Sequence, residues 1–171
     1  MFDNSDKLRL VMIEKENVDP EDARKMGTFM HEVLRGVYSK DDIPFRCNQE
    51  GQKAGLDKDL IDERIEILSH AVSDDRVAPW FENCCRVIME RPIASAENEH
   101  TRPDRIVWTK EGNVDVIDYK FGAEEKQHES QVQDYVNRIR QSGEKNVRGF
   151  LWYPLENKIV TVDDGKHLAL F

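Results

Sequence analysis

The sequence predicts an α/β protein, a sheet of several strands with amphipathic helices packed on its faces. Three observations carry this expectation. Two helical stripes precede the first β-branched run, three strand-like runs follow one another between residues 86 and 121, and a further helical stripe separates these from a last pair of strands.

Each element has its own signal. Asp19-Pro20-Glu21-Asp22 reads as a helix start: an N-cap, proline at the first helical position, then acids in the first turn. The helix is expected to run to about Tyr38, with Met26, Met30, Val33, Leu34 and Val37 along its apolar side. Residues 40–55 are polar, contain Pro44 and two glycines, and read as a connecting loop. A second amphipathic helix is predicted over 57–72, using Leu60, Ile61, Ile65 and Leu68. A short element over 77–81 then leads into Arg86-Val87-Ile88-Met89, the first strand. Arg105-Ile106-Val107-Trp108 and Val114-Asp115-Val116-Ile117 flank the turn residues Glu111-Gly112-Asn113, so the two runs form an antiparallel hairpin. The stripe Val132, Tyr135, Val136 and Ile139 marks a helix over 124–141, closed by Ser142-Gly143. Val147–Tyr153 and Lys158–Val162 read as a final strand pair.

Composition bounds the function classes. A chain of 171 residues is expected to form one domain with a sizeable core, and 39% hydrophobic with 35% charged residues fits a soluble globular protein. No stretch approaches the ~20 apolar residues of a membrane span, and Met1-Phe2-Asp3-Asn4-Ser5-Asp6 has neither region of a signal peptide. A cytoplasmic location is the expectation. Three cysteines, two of them adjacent at Cys84-Cys85, make neither a disulfide framework nor a zinc site, and are read as small buried hydrophobes. There is no G-x-x-x-x-G-K-[ST] phosphate loop. The net charge of −9 counts against a stand-alone nucleic-acid binder, unless a larger DNA-holding machine carries the domain.

The chemistry is concentrated in the hairpin. Pro103-Asp104 is followed by thirteen residues and then Asp118-Tyr119-Lys120. With the turn centred near Glu111, Asp104 lies opposite Asp118, and such cross-strand neighbours have Cβ atoms ~5 Å apart. Asp118 and Lys120 are two apart and project to one face, while Tyr119 points to the other. Two carboxylates and one ammonium therefore converge. Paired carboxylates suit a hard divalent cation, which can activate water and stabilise charge on a phosphate, and an adjacent lysine offsets charge in the transition state. The apolar setting Val116-Ile117-Asp118-Tyr119-Lys120-Phe121 argues against a merely wet sheet face, because a carboxylate buried there needs a partner.

These residues resemble the signature of PD-(D/E)XK nucleases, and more narrowly the RecB-like nuclease domain found at the C-terminus of bacterial UvrD/Rep-type helicase–nucleases. Gly27-Thr28-Phe29-Met30-His31-Glu32-Val33-Leu34 is similar to that family's early helix, Met89-Glu90-Arg91-Pro92 to its acidic first strand, Asp104-Arg105-Ile106 to its D-R-I, and Gln131-Val132-Gln133-Asp134-Tyr135 to its Q-x-x-x-Y helix. The resemblance spans roughly residues 20–155, in the family's order. One departure is Thr101, where the family often has glycine three residues before the aspartate.

The resemblance implies a restriction-endonuclease-like core (α-β-β-β-α-β), with a mixed sheet flanked by helices, and a metal-dependent DNA nuclease. It implies Mg²⁺, with Mn²⁺ as a substitute, held by His31, Asp104, Asp118 and the Tyr119 carbonyl. Glu90 joins Asp104 and Asp118 as a catalytic acid, and Lys120 contacts the scissile phosphate or attacking water. Gln131 and Tyr135, four apart on one helix face, support the site or touch DNA. His128, one turn earlier, is expected to be exposed, and Glu32 solvated. Trp80, Trp108 and Trp152 read as packing residues. The chain, 1–171, is expected to be one nuclease domain, a fragment of a larger helicase–nuclease, with DNA and a helicase domain as partners and no membrane. The alternatives are a stand-alone phage-type nuclease or resolvase, and a non-catalytic module that grips DNA or braces a helicase.

Overall fold

The computed structural model describes residues 19–82, 86–89, 102–123 and 125–162. Helix α1, Pro20–Arg35, begins as its sequence predicts: the Asp19 side chain accepts from the Glu21 N–H at 2.8 Å, with acids in the first turn and Arg35 in the last. Helices α2 (Ile43–Lys53) and α3 (Lys58–Val72) follow, then the single turn α4 (Ala78–Phe81). The strands are β1 (Arg86–Met89), β2 (Arg105–Trp108) and β3 (Val114–Tyr119). Helix α5 (Lys126–Gln141) leads to β4 (Val147–Tyr153) and β5 (Lys158–Val162).

Helix α2 corrects the loop expected over 40–55. Pro44 sits in the helix's first turn, where its missing N–H has no intrahelical partner to lose. Ile43, Cys47 and Gly51 fall four apart on one buried face. A polar surface and a proline thus concealed a helix whose apolar stripe is only one residue wide per turn.

The sheet order is β1-β2-β3-β4-β5, antiparallel except for the parallel pair β3 and β4, which α5 connects. This is the α/β core with a mixed sheet flanked by helices that the sequence predicts. The turn between β2 and β3 centres at Glu111: Thr109 N–H donates to Asn113 O, and Gly112 adopts a positive φ of 85°.

Each face of the sheet has its own core. Val107, Ile117, Tyr119 and Trp152 pack beneath α1–α4, while Val114, Val116, Leu151 and Tyr153 pack beneath α5. Alternation along β3 therefore sends Ile117 and Tyr119 to one layer and Val116 and Asp118 to the other. Helix α5 lies close to β4 because Gly149 has no side chain; a Cβ there would stand 2.8 Å from Val132 Cγ1 and 2.9 Å from Val136 Cγ2.

Arg105, the first residue of β2, is fully buried. Its guanidinium donates to Trp80 O (2.9 Å), Val37 O (2.7 Å) and Tyr38 O (2.8 Å), and stacks 4.2 Å from the Phe81 ring centroid. One side chain thus ties the end of α1 and the turn α4 to the strand that begins at the site. At the opposite end of the sheet Asp115 is also buried, held bidentately by Arg148 and by Trp80 Nε1.

Candidate active site

The site forms where both helical layers meet the end of the β2–β3 hairpin. One step beyond the paired residues Arg105 and Ile117, Asp104 stands opposite Asp118. Asp104 is buried and each of its carboxylate oxygens has a partner: Oδ2 accepts the Tyr119 N–H at 2.7 Å and Oδ1 lies 3.0 Å from His31 Nε2. Helix α1 delivers His31. It docks at Gly27, where a Cβ would lie 3.3 Å from Phe121 Cβ, and one turn later the imidazole packs edge-on against the Tyr119 and Phe121 rings. The glycine of Gly27-Thr28-Phe29-Met30-His31 has a steric reason: it lets the helix approach the chain leaving β3.

Lys120 extends the ladder, its N–H donating to Trp152 O at 2.8 Å. Its Nζ lies 2.6 Å from Asp118 Oδ2, an ion pair at contact distance but off the angle of a hydrogen bond. Asp118 is buried, and burial first, then the charge of Asp104, push its carboxyl up to about 7 despite Lys120. At Asp104, burial acts upward too. The hydrogen bond and charge of His31, the Tyr119 N–H and a hydrogen bond from Asp118 outweigh it and hold that carboxyl below its usual value. Of the two acids, Asp118 is the one whose charged form burial and its neighbour disfavour, while Asp104 is the one whose charged form its partners favour.

The structure therefore brings His31, Asp104, Asp118 and Lys120 together. Glu90 and Thr101 lie outside the described residues, as do Cys84 and Cys85. Gln131 and Tyr135 share a face of α5, with Gln131 Nε2 donating to the Tyr135 hydroxyl at 2.9 Å. His128 is less exposed than expected: its side chain retains 20% exposure, and burial and the nearby Lys120 lower its pKa. Glu32 is half-exposed and paired with Arg35 at 2.9 Å. Trp80 and Trp152 are core residues, while Trp108 is half-buried beneath the Arg86 guanidinium. Cys47 is buried, and burial pushes its thiol up to about 12.

Two residues of the site region escape the sequence reading. Arg35 has its Nε 3.7 Å from Asp104 Oδ1; its signal was the four-residue step from His31, which puts both on one helix face. Arg105 stands in the D-R-I resemblance, but nothing in the local pattern signals its role in tying α1 and α4 to β2.

Two carboxylates, an imidazole and a strand-end carbonyl make a donor set of the chemistry a hard divalent cation takes. A buried acid whose carboxyl is pushed up to about 7 by burial and by a neighbouring acid is in the environment such a cation would relieve. Among the described residues the side chains do not close into a three-ligand cage: Asp104 is engaged by His31, and Lys120 covers Oδ2 of Asp118.

A five-stranded mixed sheet flanked by helices, whose central hairpin ends in a buried acid pair with a lysine in contact, defines the class of fold. The chain belongs to the PD-(D/E)XK nuclease superfamily, whose family model matches residues 4–161. No curated protein matches the chain. Nucleases of this superfamily generally use divalent metals. Among the described residues no helix is long and apolar enough to cross a membrane.

Proposed function

We propose that the chain is a metal-dependent DNA nuclease that hydrolyses phosphodiester bonds. Its context would be a RecB-like exonuclease module, working with a helicase domain of the same or an associated polypeptide in DNA end processing and recombinational repair. The observation that carries the reading is the buried Asp104–Asp118 pair with Lys120 in contact, at the end of the central hairpin reached by His31.

In this reading Asp104, Asp118, His31 and the Tyr119 carbonyl hold Mg²⁺, or Mn²⁺ in its place, and Glu90 completes the acidic set. The bound ion supplies an activated water and takes up charge on the phosphate. For His31 to act as a ligand, the lone pair of Nε2 would turn from the contact with Asp104 to the ion. Lys120 moves from Asp118 toward charge developing on the phosphate or orients the attacking water. The pair Gln131–Tyr135 braces α5 beside the site or meets the DNA backbone.

The test is cleavage of plasmid and of short oligonucleotides with Mg²⁺ or Mn²⁺ and with chelator. Asp118→Ala and Lys120→Ala should each lower the rate by ~10²-fold or more, the scale for losing one preorganised charge. Wild-type rates in either folded variant would mean the site is misplaced. A wild-type chain that binds DNA and never cuts it would instead favour the non-catalytic module.

A further inference from the structure

Among the described residues three large apolar side chains stand exposed, Tyr38, Phe45 and Ile88. The first two belong to one junction, between the end of α1 and the start of α2. Exposed hydrophobics scattered singly are ordinary, but here the backbone under both rings is held while the rings are left out. Tyr38 has both backbone groups engaged: its N–H donates to Asp42 Oδ2 at 2.9 Å, and its carbonyl accepts from Arg105 Nη2 at 2.8 Å. Tyr38 nevertheless keeps 54% exposure. Phe45 lies between Ile43 and Cys47, both fully buried, so helix periodicity turns it outward and it keeps 68%.

Arg46 lies beside them. Its guanidinium rests over Gly36, just past the last turn of α1, where a Cβ would stand 2.0 Å from it. Nη1 donates to Gln49 Oε1 at 2.7 Å, and Nη2 lies 3.7 Å from Glu50 Oε1. The contacts of Arg46 with Gly36 and of Asp42 with Tyr38 hold the start of α2 against the end of α1, so Tyr38, Phe45 and Arg46 are neighbours at this junction. The junction adjoins the acid pair. Arg105, which holds the Tyr38 carbonyl, is the residue after Asp104, so the aromatic patch begins one arginine side chain from that carboxylate.

Exposed aromatics interleaved with a guanidinium suit unpaired nucleobases, because rings stack on base faces and the cation meets a phosphate or a further base. A duplex keeps those faces inside its own stack and offers the rings nothing. Stacking also requires no excess of positive charge, which a chain of net charge −9 does not have. We propose that Tyr38 and Phe45 form a base-stacking surface that receives an unpaired DNA strand at the α1–α2 junction and leads it to the acid pair. The proposal rests on the nuclease reading for the nature of the substrate and adds to it the unpaired form in which DNA is taken.

The experiment measures binding by the full chain in chelator, using fluorescence anisotropy. The probes are a short mixed-sequence single strand, the same strand in duplex, and an abasic strand of equal length. The wild type should hold the single strand about tenfold or more tighter than either of the others. Tyr38→Ala and Phe45→Ala should each weaken single-strand binding about fivefold or more, the low end for one base on one ring, with duplex and abasic binding unchanged. Tyr38→Leu and Phe45→Leu keep apolar area without a π-face and should lose as much as the alanines. Tyr38→Trp and Phe45→Trp should hold the single strand as well as the wild type or better. The leucine and tryptophan variants carry the test if an alanine variant does not fold. Alanine variants that bind the single strand as the wild type does would overturn the proposal and leave the rings to a protein contact. Leucine variants of full affinity would overturn it as well, as would a wild type that does not prefer the single strand. A chain that binds through these rings and never cuts DNA overturns the nuclease reading alone. One that cuts DNA while its alanine variants bind as the wild type does overturns this proposal alone.

Discussion

Burial and the adjacent Asp104 push the Asp118 carboxyl up to about 7, whereas in the unfolded chain an aspartate titrates near 4. A group whose pKa is raised by folding contributes stability that is complete below the unfolded value and is lost as pH rises through the folded one. Metal-free protein should therefore lose the Asp118 contribution progressively between about pH 4 and 7. Asp104 behaves oppositely: its lowered pKa gives stability that is lost in acid. Asp118→Asn cannot ionise, so chelator-treated variant should gain on wild type by something on the order of 1–3 kcal/mol between pH 5 and pH 8. Urea unfolding at both pH values measures this. A gap that does not change with pH would place the proton elsewhere in the pair. At this scale the acids and Lys120 were legible from spacing alone, because strand alternation and a turn centred at Glu111 determine who faces whom. The role of Arg105 was not legible. Its three carbonyl partners, on Val37, Tyr38 and Trp80, are brought to β2 by tertiary packing that no local pattern encodes.

Among the elements, α5 and β4 show how closely a helix can be set onto a sheet. Val132 and Val136 bracket Gly149, and the missing side chain is what admits them. Gly149→Ala places a methyl inside van der Waals contact of two stiff β-branched residues, so we expect ~1–3 kcal/mol of destabilisation by overpacking. The Tm of the single variant tests the size of the effect. Adding Val132→Ala should cost less in that background than in wild type, because the two changes share one contact. Strictly additive losses would remove Gly149 from the explanation of helix position. The same pair of elements marks what a sequence reveals. The stripe of α5 and the apolar runs of β4 and β5 were legible, since each carries its own period. The parallel pairing of β3 with β4 follows from a crossover, and α2 went unread because Pro44 and a thin stripe at Ile43, Cys47 and Gly51 look like loop chemistry.

For the molecule as a whole the issue is how a chain with 25 basic and 34 acidic side chains handles a polyanion. The site lies between two layers, with His31 and Arg35 approaching from the α1 side and Asp118 and Lys120 from the α5 side. Several of the cations that a phosphate backbone would use are engaged within the chain: Arg148 with Asp115, Arg76 with Asp74, Lys40 with Glu82 and Lys120 with Asp118. A phosphate contact at any of these four must break an existing pair, and the net charge of −9 adds repulsion that grows as salt is removed. Counterion release from DNA, which drives most nonspecific binding, has little to work with here. The isolated chain should hold duplex DNA with a Kd of ~10⁻⁴ M or weaker at physiological salt, and KM for a short oligonucleotide should be correspondingly high. If a tethered DNA-holding module supplies the substrate, linkage replaces affinity: effective concentrations reach the ~mM range with a short linker. Fusing the chain to an unrelated DNA-binding domain should then lower KM by an order of magnitude or more and leave kcat at saturating DNA unchanged, because nothing at Asp104, Asp118 or Lys120 is altered. Fluorescence anisotropy and steady-state cleavage on the free and fused chains make the comparison. Submicromolar, sequence-specific binding by the free chain would refute this account of its charge, as would a fusion whose KM does not move.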